Sequence, residues 1–523
     1  MKKTLTLLIY FLFITQSFAQ NLKLDNILNI QLKNTGEILS EEKNVIGYFF
    51  FYLVDSKDKV NNTYILKVTD ENLREINSLD LIKPRATALV EANYNGNAFI
   101  FSFYDPKMKM NELVTYDKSL KQLGAISNSV EDHGPAQSIY NYQSKGNSLG
   151  YTFLYPVANT GFLNYGYIKN NKTKYIIDRY SNDLKLMWSV QCPDIVTDVY
   201  DEAQEAFQTR TTVVSLISRR KEYYSYEGTF NLLINDLATG KELENIAIKD
   251  DQYILAPAKI NYLEASNEIL VFGEYFKGKI EKGKTITTST GYFSQLLDMK
   301  GNVIKKAYYE WEKDLAKLVS YDDKKEVKEG KKEKPTTFYK TYDLYTHNMI
   351  KTSDGDFIII GEQYSYRAGP SSPGSKNIST FFYTKDIFAL TLNSALEIKS
   401  TDLFDKRRSE HSTTGDITRH GRFLPIIAIT SNWFDYGFTQ LSKDKKTFSI
   451  AYTDYVKEKG EKGKIVLGVI TYTPEKTFVT DKTDLNRTSS NYIVRKGKSG
   501  YIFVGEYFKE EKYIDYRLEK INY

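Results

Sequence analysis

Cysteine is almost missing from this chain of 523 residues: Cys192 stands alone, so no disulfide can form within it. An oxidising compartment is tolerated, but stability must come from packing. Cys192 sits beside a proline in SVQCPD with no partner nearby in sequence, and reads as a small buried apolar residue rather than a nucleophile. An excess of charge of one sign is missing too. Lys and Arg number 71 against 66 Asp and Glu, a net +5, which is too balanced for a protein that grips nucleic acid by its phosphates. Motifs of known chemistry are lacking as well: no Gly-rich phosphate loop, nucleophile elbow, zinc helix or calcium loop is present. No cofactor and no metal is therefore expected.

Long apolar runs are confined to the start. Lys2 and Lys3 precede an apolar stretch from Leu5 to Ile14, and Ser17-Phe18-Ala19 puts small residues at −3 and −1 of a cleavage point before Gln20. This predicts a signal peptide over residues 1–19 and a mature chain in the periplasm or outside the cell. No later window approaches the 18 or so apolar residues of a membrane span, so no transmembrane segment is expected after cleavage.

What is abundant is aromatic. Tyr 42, Phe 29 and Gly 30, against 3 Trp and 11 Pro, is the composition of pleated, half-buried surfaces and tight turns. One strand phrase recurs with the same ending: EILVFGEYFK at Glu268–Lys277, DFIIIGEQYS at Asp356–Ser365 and YIFVGEYFK at Tyr501–Lys509. Eight units follow one plan of leading strand, loop, partner strand, tight turn and short third strand. The turns also repeat, as in Asp70-Glu71-Asn72-Leu73, Asp117-Lys118-Ser119-Leu120 and Asn393-Ser394-Ala395-Leu396, with an Asp or Asn side chain placed to bond its own backbone. A further strand before most leading strands makes four per unit. The reading is all-β: one β-propeller domain over residues 20–523, built of four-stranded antiparallel blades. Eight blades are expected, with seven the alternative count. The leading strand of the third unit is placed at Leu149–Tyr155, and a strand before it at Gln137–Tyr142. The last unit stops after its third strand, and Asp25–Leu32 is expected to supply the fourth, closing the ring. One short inserted helix is expected in EWEKDLAKLV, Glu310–Val319, with Asp194–Phe207 a second candidate.

In a four-stranded blade, the loop between second and third strands and the crossover to the next blade emerge on one face. The long insertions fall in those two classes, so the working surface is placed there. The four histidines, His133, His347, His411 and His420, lie in or near crossovers. The nearest to a catalytic set is His411, Asp416 and His420, with Asp132 and His133 elsewhere. No pair has zinc-helix spacing, so no metal site is assigned. Glu274, Glu362 and Glu506 occupy equivalent places in different units, and repetition argues for a shared structural task, such as accepting backbone N–H bonds, over paired-carboxylate hydrolysis. Trp433, Phe434, Tyr436, Tyr364 and Tyr366 flank long loops and are the candidate binding aromatics.

The GEYF-type strand, the D-x-x-L turns and the leader ending SFAQ together resemble uncharacterised secreted β-propeller-repeat proteins of Bacteroidetes-type bacteria. The resemblance covers the mature chain in style and carries no active-site motif. The Trp-Asp and paired-Gly signatures of WD40 and Kelch repeats are absent. The function expected is a rigid, non-enzymatic scaffold that binds a protein or glycan of the cell envelope, with no role for nucleic acid. The alternative is a hydrolase or lyase of polysaccharide or peptide using loop carboxylates with a histidine.

Overall fold

The computed structural model describes residues 21–521 apart from 29–34, 41–43, 57, 131–135, 138–151, 170–171, 195–196, 223–227, 278–288, 321–339, 371–377, 415–422, 457–462, 474, 476 and 487. The segment 1–19, expected to be a signal peptide, and the candidates Asp132, His133, Asp416 and His420 lie outside the described residues.

Outer strands such as Glu75–Pro84 alternate apolar and polar side chains, whereas leading strands such as Ala98–Asp105 are buried on both faces. Among the described residues, strand pairing gathers them into seven sheets; one of eight strands divides at a single parallel bridge, giving eight four-stranded antiparallel blades of a propeller, one of which carries a fifth strand. Blades 1 to 7 span 35–84, 88–129, 154–191, 200–248, 253–310, 343–404 and 436–484. Blades 3 and 4 are joined by one parallel bridge, Lys174 to Asp201. Blade 8 takes three strands from 491–520 and its outermost from Asn21–Asp25, which pairs with Tyr513–Lys520. The ring thus closes through an N-terminal strand as expected, but that strand, Asn21–Asp25, ends at the residue where the expected segment begins. Leu22 and Leu24 put their alternating apolar side chains on the last blade.

The core is not one mass but a cluster between each pair of neighbouring sheets. Phe49, Phe101 and Val114 join blades 1 and 2. Trp188, Val213 and Leu233 join blades 3 and 4. At the closure, Tyr48 of blade 1 stacks on Phe503 of blade 8 at 4.5 Å, and Phe503 on Tyr516 at 4.9 Å. A sheet that buries both faces against its neighbours in this way extends a core past the size at which one hydrophobic centre stops growing.

The recurrent D-x-x-L turn has a physical cause. Asp70 Oδ1 accepts the N–H groups of Asn72 at 2.8 Å and Arg74 at 2.9 Å, and Asn393 does the same for Ala395 and Glu397 at 2.9 Å each. This winding drives the Leu into the left-handed region: φ is 63° at Leu73, 62° at Leu120 and Leu184, and 67° at Leu396. That costs about 1–2 kcal/mol for a residue with a Cβ. The cost is met because each of these leucines is a buried plug in the cluster shared with the preceding blade. Blades 4 and 5 solve the same turn with Gly240 and Gly301, and there Trp188 and Ile246 of the preceding blade fill the space a Cβ would enter.

Four placements differ from the sequence reading. Leu154–Val157 is the first strand of blade 3, and the second is Gly161–Lys169. Gln137 is in a helical turn, and the rest of the strand placed at Gln137–Tyr142 lies outside the described residues. The described part of Asp194–Phe207 is not helical. Its helix-forming Ala, Glu and Gln are overruled by pairing of Tyr200–Gln208 with Thr212–Arg220. In EWEKDLAKLV only Ala316–Val319 is helical (α1), with Trp311, Leu315, Leu318 and Val319 buried between blades 5 and 6. A second helix, Phe423–Thr430 (α2), lies in the crossover from blade 6 to blade 7.

Candidate functional site

Blade 6 departs from the plan. Its second and third strands, Phe357–Pro370 and Ile378–Leu392, have 14 and 15 residues, against 8 each in blade 8. They run on past the fourth strand, whose pairing ends at Ile387 with Phe404. There the strand Ser409–Thr414 takes over, pairing with Ser379–Thr384. The result is a three-stranded annex on the long-loop face. Directly opposed residues share a side, so Tyr366, Phe382 and His411 point one way, and Ser365, Tyr383 and Glu410 the other.

The inner side of the annex has its own small core. Tyr364 stacks on Phe382 at 5.3 Å, and Phe434 meets Phe382 edge-on at 5.6 Å. Leu424 and Ala428 of α2 close it. The helix ends on Asn432 in the left-handed region (φ 53°), with Trp433 N–H bonding the Ala428 carbonyl at 2.9 Å and Asn432 N–H that of Ile429 at 3.3 Å. This C-cap turns the chain so that Trp433, Phe434, Asp435 and Tyr436 enter in sequence. Trp433 lies parallel to His411 at 5.6 Å, and Tyr436 stacks on His347 at 4.3 Å.

Behind these rings lies a buried polar network. Lys406 Nζ is 3.1 Å from Glu362 Oε1 and 2.6 Å from Asp435 Oδ2. Glu362 accepts the N–H groups of Asp435 and Tyr436 at 3.1 Å each, and His347 Nε2 stands 3.5 Å from its carboxylate. Asp435 Oδ2 also accepts from Thr384 at 3.0 Å and Ser409 at 2.9 Å. The side chains of Glu362 and Lys406 are 0% exposed and that of His347 is 2% exposed, while Asp435 keeps 18%.

The first strand of the blade explains the Gly-Glu phrase. His347 is the extra residue of a β-bulge between Thr346 and Asn348, opposite Gly361 and Ile360. A Cβ on Gly361 would stand 2.2 Å from the Tyr345 carbonyl oxygen. Blade 5 repeats the device, with a bulge after Pro257 and Gly273 2.2 Å from the Ala256 carbonyl oxygen by the same measure. Glycine is required where the bulge crowds the second strand, and the next residue, Glu, faces the loops.

The electrostatics follow from burial. Desolvation pushes the Glu362 carboxyl up, but Lys406, His347 and the Tyr436 N–H outweigh it and hold the group below its usual range. For Asp435, desolvation and the Glu362 charge outweigh Lys406, and its pKa is raised. Burial depresses both His347 and His411. Lys406 stays charged, its burial more than offset by the two carboxylates.

The candidate residues are thus partly brought together. Tyr364, Tyr366, Trp433 and Phe434 share the annex core, with Tyr364 and Phe434 each only 5% exposed. Tyr436 lies beside them on His347, and His411 on Trp433. The aromatics therefore pack the annex instead of lining an open surface. Lys406, Asp435 and the buried partnership of His347 with Glu362 were not singled out from sequence. The three repeated glutamates each accept a bond from a residue outside the strands of their own blade, but from different donors: Glu362 from the Asp435 and Tyr436 N–H groups, Glu506 from the Asn486 N–H at 2.5 Å, and Glu274 from the Ser289 hydroxyl at 2.8 Å; Glu506 also pairs with Arg517 of its neighbouring strand. Among the described residues no group of three or more His, Cys, Asp or Glu is placed to hold a metal ion. A pocket of 310 Å³ opens on the opposite face, lined by Glu71, Lys443 and Lys498 among others.

Eight radially packed four-stranded sheets with a single elaborated blade define a β-propeller carrying a local annex. Within that class, residues 1–522 match the family of unknown function DUF6770, and the chain belongs to that family. The WD40 domain of SCAP from fission yeast is similar at 8% identity and a TM-score of 0.41, over 96% of this chain and 99% of that one. The β-propeller domain of the Trilobed protease from Pyrococcus furiosus is similar at 10% identity and 0.30, over 70% and 93%. The GH93 alpha-L-arabinofuranosidase of Fusarium graminearum is similar at 12% identity and 0.31, over 73% and 92%. No curated protein matches the chain.

Proposed function

We propose that this chain is an exported β-propeller that works as a rigid binding scaffold for a protein or glycan of the cell envelope, with the blade 6 annex as its contact surface. One observation carries the reading: the groups that could do acid–base chemistry, Glu362 and Lys406, are 0% exposed and are spent on each other. Glu362 is further occupied by the N–H groups that start blade 7. A carboxylate so enclosed locks the crossover in place and does not reach a substrate. The test is a glycan and peptide array probed with the mature chain, run beside an assay for newly formed reducing ends. Binding without turnover supports the scaffold. Export is checked by the N-terminus of the secreted protein, expected at Gln20.

The second reading is a hydrolase or lyase, and His411 favours it. Its Nε2 is buried without a hydrogen-bond partner, and Asp435, with a raised pKa, lies close enough to act on it electrostatically. Turnover that disappears in His411→Ala would establish this reading over the scaffold.

A further inference from the structure

The outer side of the annex holds two arginines over one ring. Arg367 lies 5.5 Å from the centre of Tyr383 and 5.4 Å from that of Phe381, and Arg408 lies 4.6 Å from Tyr383. Both arginines are exposed, and neither has an ion-pair partner among the described residues. Glu410 stands opposite Tyr383 in the strand register but forms no ion pair with either. Tyr383 itself is 6% exposed, and its hydroxyl is buried without a hydrogen-bond partner. A buried hydroxyl left unpaired is unfavourable, and so is crowding two guanidinium groups around one ring. One group answers both: an oxyanion with two or more acceptor oxygens, which two guanidinium forks and a phenol hydroxyl suit.

We infer that Arg367, Tyr383 and Arg408 form a binding site for the carboxylate or sulfate groups of an acidic glycan. This rests on the scaffold reading above and names its ligand class. The surroundings favour a glycan over a protein. Ser365 and Ser412 share this side of the sheet with Phe381 and Tyr383, offering hydroxyls and ring faces. No large apolar side chain on the described part of the annex is among the exposed ones, whereas a protein interface centres on such residues. The stacked guanidinium groups are held by the rings, so less freedom is lost on binding than by free lysines.

The experiment is titration calorimetry of the mature chain with oligogalacturonate, a sulfated glycan, neutral dextran and polyglutamate, at low and at 0.5 M salt. The variants are Arg367→Gln with Arg408→Gln, and Tyr383→Phe, each checked for an unchanged melting temperature. Expected are binding of an acidic glycan, at least tenfold loss in the double variant, a several-fold loss in Tyr383→Phe and weakening by salt. Preference between the carboxylated and the sulfated chain identifies the source of the oxyanion. Polyglutamate bound as tightly as the acidic glycans overturns the assignment to a glycan. Binding of dextran or of a protein that the variants leave intact overturns the anion site while the scaffold reading stands. Failure to bind any glycan, peptide or protein overturns both.

Discussion

Tyr516, in the third strand of the last blade, shares a hydrogen bond of 2.9 Å with Thr35 at the start of the first. Tyr52 also bonds to both hydroxyls, and all three residues are buried. Residues 481 positions apart are thus tied by a small polar cluster inside an aromatic interface. The ring is closed by hydroxyls here and by the Asn21–Asp25 strand at the rim.

These two closures contribute differently. Tyr516→Phe removes one hydroxyl but leaves Thr35 and Tyr52 bonded to each other, so a loss of about 1 kcal/mol is expected. Deleting residues 21–25 uncovers the edge of the last strand from Tyr513 to Arg517 and removes Leu24 from its cluster. The expected result is a larger drop in melting temperature together with concentration-dependent aggregation, because an unpaired edge recruits other chains. Differential scanning calorimetry and light scattering check both. An unchanged melting temperature in the deletion would mean that the strand closes nothing.

The left-handed leucines reverse a common expectation. Leu120→Ala loses a buried side chain, about 2–5 kcal/mol, and keeps the unfavourable backbone. Leu120→Gly loses the same contacts but relieves about 1–2 kcal/mol of left-handed cost. Glycine is therefore expected to be the milder substitution, although it is normally the worse. Chemical denaturation of the two variants checks the order.

Removing single charges from the blade 6 network separates its members. Glu362→Gln leaves Lys406 buried with only the raised-pKa Asp435 as a carboxylate partner, and a loss of about 3–5 kcal/mol is expected. Asp435→Asn keeps an acceptor for Lys406, Thr384 and Ser409 and removes the carboxylate that burial disfavours. It is expected to cost little at pH 7. The folded pKa of Asp435 is raised, so its ionised form detracts from stability at neutral pH, and that penalty is relieved as pH falls through the folded pKa. The asparagine variant should lack that relief. Urea melts of both variants from pH 7 to pH 4 measure this.

His347 acts in the opposite sense. Its folded pKa is depressed by burial, so the unfolded chain takes up the proton first. Its contribution is complete above the unfolded value of about 6.5 and is lost as pH falls from there through the folded pKa. His347→Gln should flatten the fall in stability just below pH 6.5. The same melts, repeated for this variant, report the slope.

The ring was legible because its signals are local. Strand alternation, the Asp or Asn that winds each turn, and the leucine that follows all lie within a few residues. The annex core was partly legible for the same reason, since Tyr364, Trp433 and Phe434 flank long loops. The charge network was not. His347 and Glu362 come from blade 6, Lys406 and Asp435 from the two ends of the crossover to blade 7, and no spacing in the chain marks their meeting. Helix α2 escaped because FLPIIAIT has no polar side, and a helix without two faces has no period to read. The third blade was shifted because its first strand has only four residues.

Pairing of Asn21–Asp25 with Tyr513–Lys520 also orders events during synthesis. The Asn21–Asp25 strand must wait for one almost 500 residues later before it finds its partner. A nascent chain thus carries an unlocked circle until residues 513–517 have been made, and any pause before them leaves it open to chaperones and proteases.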